Sequence, residues 1–207
     1  AVACKLTNVI YAVALAAALM AAPMPWWQRL RSTLLVASGA LLVFAVLAGP
    51  WLWRVHATYG NPLLPQFNRW FQSPLAPPLA VADQRWLPQG VLEAVLRPFL
   101  FTLDPRLVSE VALPQIVWPL LLVAACAAVL IGLVRRVRRR PITVNAGATG
   151  VAQRMLVVFF LVGYLLWLCL FSIHRYLVVL ELMAPLLLWW LAHRIFQARH
   201  AARAAGL

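Results

Sequence analysis

Acidic residues are scarce in this chain: five Asp and Glu stand against 18 Lys and Arg over 207 residues. Cysteine is scarcer still, and Cys4, Cys126 and Cys169 each lie inside an apolar run. A thiol at such a position reads as a small core residue, not as a disulfide partner or a metal ligand. The sequence contains no HExxH, no CxxC, no Walker loop, no GxSxG and no glycine-rich dinucleotide loop. Zincin hydrolysis, dithiol redox chemistry, P-loop phosphoryl transfer and dinucleotide binding therefore lack their residues. No metal or cofactor is expected. The net charge of +13 does not argue for nucleic acid, because no soluble basic domain is there to carry such binding.

What is abundant is apolar length. Apolar residues make up 64% of the chain, ten residues are Trp, and apolar runs of roughly 20 residues recur. The expected fold is all-α: a polytopic integral membrane protein with one membrane domain over 1–207. Spans are expected at 1–22, 32–53, 115–134, 155–173 and 176–192, with a long loop over 54–113. The chain starts at Ala1 without Met and enters an apolar run at once, as a fragment or a chain lacking its start would. A lone Lys5 inside that run is not the basic leader of a signal peptide. Within the first span, Ala12 with Ala16 and Ala14 with Ala18 form small-residue faces suited to close helix packing.

Five spans alternate sides, so segments 23–31, 135–154 and the tail share one side. Together these carry eleven Arg and no acid. The positive-inside rule places them in the cytoplasm and the long loop outside. The loop itself is near balance, with Arg54, Arg69, Arg85, Arg97 and Arg106 against Asp83, Glu93, Asp104 and Glu110. The expected location is a bacterial inner membrane with the loop on the periplasmic side.

The loop opens on a turn. Gly60 permits positive φ, and Pro62 fixes its own φ and biases Asn61 to extended backbone. Phe67 with Trp70, or Phe67 with Phe71, can share a short helical face, and aromatics beside Arg69 suit a headgroup layer. Further on, Gln89 to Arg97 reads as an amphipathic helix that starts after Pro88 and ends at Pro98. It is expected to lie on the outer membrane surface, its apolar side extended by Phe99, Leu100 and Phe101.

Polar residues near the outer face are the candidates for chemistry. Lys5 and Asn8 are helix neighbours; Lys5 either snorkels to the interface or meets an anionic ligand. His174 and Arg175 sit on the tight connection between the last two spans. Glu181 lies two helical turns beyond His174 and is either a structural partner for Lys5 or Arg175 or a functional acid. Arg54 and His56 mark the exit of the second span, where Arg54 serves as interface anchor or ligand contact. Asp83 and Asp104 read as turn residues beside Arg85 and Arg106. Cations with few acids under an aromatic loop suit a phosphate-bearing lipid head, and Arg175 is the expected main contact because a guanidinium fork matches phosphate oxygens.

The stretch Tyr59-Gly60-Asn61-Pro62-Leu63-Leu64-Pro65-Gln66-Phe67-Asn68-Arg69-Trp70-Phe71-Gln72-Ser73-Pro74 resembles a signature of bacterial multi-span glycosyltransferases of the GT-C superfamily. Lys5-Leu6-Thr7-Asn8, and Arg175-Tyr176-Leu177 followed by Glu181, look similar to two further stretches of that family. The resemblance implies sugar transfer from a polyprenyl-phosphate carrier to an acceptor outside the membrane. It marks Tyr59, Asn61, Pro62 and Asn68 as loop-motif residues. It also places a catalytic acid in an outer loop upstream of such spans, so no catalytic residue is assigned within this chain. Two other readings stand beside it: a polysaccharide polymerase or ligase, and a transporter or flippase subunit. The latter calls for repeated halves, and no internal repeat is visible.

Overall fold

The computed structural model describes residues 6–78, 84–109, 114–137 and 148–204. These residues form seven α-helices: α1 (Val9–Ala21), α2 (Trp26–Tyr59), α3 (Asn68–Phe71), α4 (Val91–Leu103), α5 (Val117–Val137), α6 (Ala148–Leu170) and α7 (Val178–Ala204). Short 3-10 turns lie at Leu6–Asn8, Gln84–Trp86, Pro105–Leu107 and His174–Tyr176. Helices α2, α5, α6 and α7 are long and apolar enough to cross a membrane. The chain is an all-α polytopic membrane protein.

Helix α1 is apolar but has 13 residues, about 20 Å of helix. That is shorter than a hydrocarbon core of roughly 30 Å. It is nonetheless deeply packed, with Ile10, Tyr11, Ala14 and Ala18 buried. Its main partner is α6. The two meet at Gly163, where a Cβ would touch the Tyr11 ring at 3.5 Å and crowd Leu180 Cδ2 of α7 at 3.3 Å. Of the two small-residue faces, Ala14 with Ala18 is the one that packs. Arg29 reaches back over the end of α1, its Nη1 donating to Met20 O in the last turn at 3.3 Å and its Nε to Met24 O in the following connection at 2.6 Å. A cation there also complements the helix dipole.

Helix α2 is the opposite case. It has 34 residues and buries only Ala48, so its Leu and Val side chains face the lipid. Gly60 ends it at φ 72°, with its N–H on His56 O at 2.7 Å, as the turn residues predict. The cysteines correct the sequence reading: Cys126 and Cys169 are free thiols exposed on the surfaces of α5 and α6, not core residues. Cys4 lies outside the described residues.

The core is aromatic and binds the loop to the spans. Phe101 of α4 meets Trp118 of α5 and Trp167 of α6 edge to face, at centroid distances of 6.1 and 6.3 Å. Tyr164 stacks on Trp118 at 5.5 Å. Such pairs add about 0.5–1.5 kcal/mol each beyond area burial. This anchoring corrects the expected end of the loop helix. Pro98 does not stop α4, which runs on to Leu103. Pro98 costs one backbone bond, but Phe101 gains its seat in the core, and Thr102 Oγ1 donates to Pro98 O at 2.7 Å.

Helix α4 is amphipathic with its charges turned inward. Glu93 and Arg97 pair on the protein side, where Arg97 is 2% exposed. Val91, Leu92, Val95 and Leu103 point outward, all strongly exposed. An apolar face turned away from the protein fits a helix lying against lipid.

Candidate functional site

The loop motif folds as a self-contained knot. Asn61 and Asn68 are buried. Asn61 Nδ2 donates to Gln66 O at 3.0 Å, and its Oδ1 accepts from Leu63 N at 2.9 Å. Asn68 Nδ2 donates to Ser73 O at 2.9 Å and to Ala76 O at 2.6 Å, and its Oδ1 accepts from Ser73 N at 2.9 Å. Phe67 and Gln72 flank α3 in the left-handed region, at φ 56° and 52°. Phe67 and Trp70 do share a face, with ring centroids 5.5 Å apart. The amides of Asn61 and Asn68 are thus engaged with backbone and with each other, while Tyr59 stays exposed and Pro62 partly buried.

The connection between α6 and α7 gathers the polar groups. Helix α6 ends as Phe171 N and Ser172 N both reach Trp167 O, at 3.0 and 2.8 Å. Ser172 sits at φ 52°, fully buried, with its Oγ lacking a hydrogen-bond partner. Trp167 Nε1 donates to Ile173 O at 2.8 Å. His174 N donates to Val108 O at 2.7 Å, tying this hairpin to the long loop. The Tyr11 hydroxyl donates to Tyr176 O, bringing the start of α1 to the same place. The loop, the hairpin and the N-terminal end of α1 therefore lie at one end of the bundle.

Within the hairpin, His174 Nε2 lies 2.7 Å from Glu181 Oε1. The contact is an ion-pair distance without hydrogen-bond alignment. The sequence pairs these residues by helical spacing, but the structure pairs them otherwise. His174 is in a 3-10 turn and Glu181 in the first turn of α7, where the helix dipole favours an acid. Glu181 is not mid-span, and its ion-pair partner is His174 rather than Arg175. Arg175 itself is exposed, its guanidinium carbon 5.4 Å from the Tyr176 ring centroid.

The remaining expected contacts divide. Asn8 closes the 3-10 turn just before α1, three residues from Tyr11. Lys5 and Asp83 lie outside the described residues. Arg54 and His56 are exposed on the last turns of α2, with the His56 ring 6.3 Å from Trp53. Helix α2 packs mainly on α1. Sequence reasoning missed Tyr11 and Ser172. A phenol within an Ala-rich apolar run was the one available signal for Tyr11; nothing marked Ser172, whose role depends on left-handed backbone.

Neither a protein-family model, nor a curated protein, nor a solved structure matches this chain.

Proposed function

We propose that this chain is the donor-lipid-binding part of a membrane glycosyltransferase that uses a polyprenyl-phosphate-linked sugar. The loop end of the bundle would face outward from a bacterial plasma membrane. One observation carries the reading. Arg175 is left exposed on a hairpin that is otherwise pinned by Val108, Tyr11 and Trp167. The acid near it is already occupied by His174, so the guanidinium is available to an external anion. The resemblance of the loop opening and of Arg175-Tyr176-Leu177 to GT-C enzymes supplies the chemistry.

In that chemistry an acceptor hydroxyl oxygen attacks the anomeric carbon. The bond from that carbon to the phosphate oxygen breaks, and the carrier phosphate leaves with the electron pair. The acceptor proton must pass to a base. Arg175 stabilises the charge that develops on the leaving phosphate. Rigid placement matters, because a preformed donor costs no reorganisation at the moment of bond breaking.

The test is polyprenyl-phosphate binding and sugar transfer in the full-length protein. Arg175→Ala should weaken phosphate contact by roughly 2–5 kcal/mol, and Arg175→Lys, which keeps charge but loses the fork, by less. Unchanged binding and turnover in Arg175→Ala overturn the assignment. The orientation is tested with cysteines in a background lacking Cys4, Cys126 and Cys169. Leu75→Cys should react with an impermeant thiol reagent on intact cells, and Arg136→Cys only after permeabilisation. The reverse pattern would remove every outward-facing assignment.

A further inference from the structure

The packed pair α5 and α7 leaves a furrow on its lipid-facing side. It holds about 540 Å³ and has no charged residue in its lining. Half-buried Ala124 and Ala127 of α5 and Ala192 of α7 line it, with Leu120, Trp189 and Phe196 exposed at its sides. Both helices start at the loop end: Trp118 of α5 meets Phe101, and α7 follows the hairpin that Val108 holds. They therefore run in parallel toward the end of the bundle where segments 23–31, 135–154 and the tail carry Arg and no acid.

The helix faces that line the furrow become basic beyond it. Leu188, Ala192 and Ile195 form one stripe of α7, and the next positions of that stripe are Arg199 and Arg203. Leu188 and Arg199, Ala192 and Arg203 and, on α5, Ala124 and Arg135 are each eleven residues apart. Eleven residues make about three turns and about 16 Å of helix, so each Arg repeats the face of its furrow residue at a lower level. Arg135 is half-buried and, among the described residues, has no hydrogen bond or ion pair. Arg194 falls on the far side of α7 by the same register, its guanidinium carbon 5.1 Å from the Trp190 ring centroid.

We propose that the furrow binds an anionic phospholipid, with its acyl chain between α5 and α7 and its phosphate among Arg135, Arg199 and Arg203. The dimensions suit it. A drop of about 16 Å is close to half of a hydrocarbon core of roughly 30 Å, so a chain in the furrow ends with its head at the level of the arginines. The charge suits it as well. Three guanidiniums at an acid-free end call for a counter-anion, and a phosphodiester matches their forks. A lipid with a choline head carries its own cation and gains less. A partner helix would have to bring acids to that level. Basic pockets between spans hold anionic lipid heads by the same chemistry. This site lies at the opposite end from Arg175 and does not depend on its role.

The experiment maps lipid contacts on the full chain in phosphatidylcholine nanodiscs. A trace of phosphatidylglycerol carrying a mid-chain diazirine is photolysed, and the crosslinked residues are located by mass spectrometry. A parallel sample carries the same chain on phosphatidylcholine. Exposed Leu41, Val43 and Val46 of α2 give the reference for unselective lipid. The ratio of anionic to zwitterionic labelling at residues 120–127 and 188–196 should exceed that reference by about fivefold or more. In Arg135→Gln/Arg199→Gln/Arg203→Gln the excess should fall to the α2 reference, with circular dichroism and α2 labelling unchanged. Arg203→Gln alone should remove about half of it, and Arg194→Gln, off the face, should keep it. Equal ratios at furrow and α2 overturn the proposal, as does an excess that survives the triple substitution or disappears in Arg194→Gln. A furrow that neither probe labels is covered by another helix, and this too overturns it.

Discussion

Among the described residues, two charged pairs at the loop end handle burial differently. Glu93 and Arg97 are four apart on one helix, and Arg97 spends its other donors on the carbonyls of Trp86 and Leu107. His174 and Glu181 are joined across a turn, by one contact that lacks hydrogen-bond alignment. The first pair holds loop segments together and carries permanent charge on its basic side. The second has a basic partner that is charged only when protonated, and it lies beside an exposed Arg175. The difference separates a multiply bonded brace from a single unaligned contact beside the Arg175 of the proposed site.

The brace should give the largest response. Arg97→Ala leaves Glu93 without its partner and frees two carbonyls, so a loss of roughly 3–5 kcal/mol is expected, measured by chemical unfolding in detergent. A loss below about 1 kcal/mol would put Arg97 among ordinary surface ion pairs and erase the contrast. Asn68→Ala comes next. It removes an amide that serves Ser73 and Ala76, and with buried groups left unmade the cost should be about 2–3 kcal/mol. Faster proteolytic cutting near Ser73 would show the same effect locally. Glu181→Gln keeps the shape of the hairpin and loses its charge; a stability change of about 1 kcal/mol is expected, measured by the same unfolding. Arg175→Ala should change stability least, by about 0.5 kcal/mol or less, as at other exposed positions. If Arg175→Ala destabilised the fold as much as Arg97→Ala, the hairpin would be a second brace.

The four long apolar helices were readable because a water-soluble core has no use for apolar runs as long as the bilayer is thick, whereas the first expected span, 1–22, holds only the short α1. The turn at Gly60-Asn61-Pro62 was readable because its backbone needs are local, and the capping angle at Gly60 follows them. Inside and outside were harder to tell. In a membrane the packed face and the lipid face are both apolar, so an apolar setting could not show that Cys126 and Cys169 point outward. Pro98 misled for a related reason: the seat of Phe101 between Trp118 and Trp167 is a tertiary gain that local propensity does not contain. The pairing of His174 with Glu181 was reached by counting helical turns, yet the chain between them is not one helix.

The length of α2 has a consequence for where the loop floats. Its uncharged stretch from Ser32 to Trp53 is about 33 Å long, close to a hydrocarbon core of roughly 30 Å. The last turns, from Arg54 to Tyr59, therefore add about 9 Å beyond it. The hairpin of α6 and α7 has no such extension, since α6 stops at Leu170 and α7 resumes at Val178. Thickening the bilayer by a few ångströms would draw Arg54 toward hydrocarbon, at fractions of a kcal/mol per Å. The protein should in this way be tuned to membranes of ordinary thickness, with α2 as its gauge.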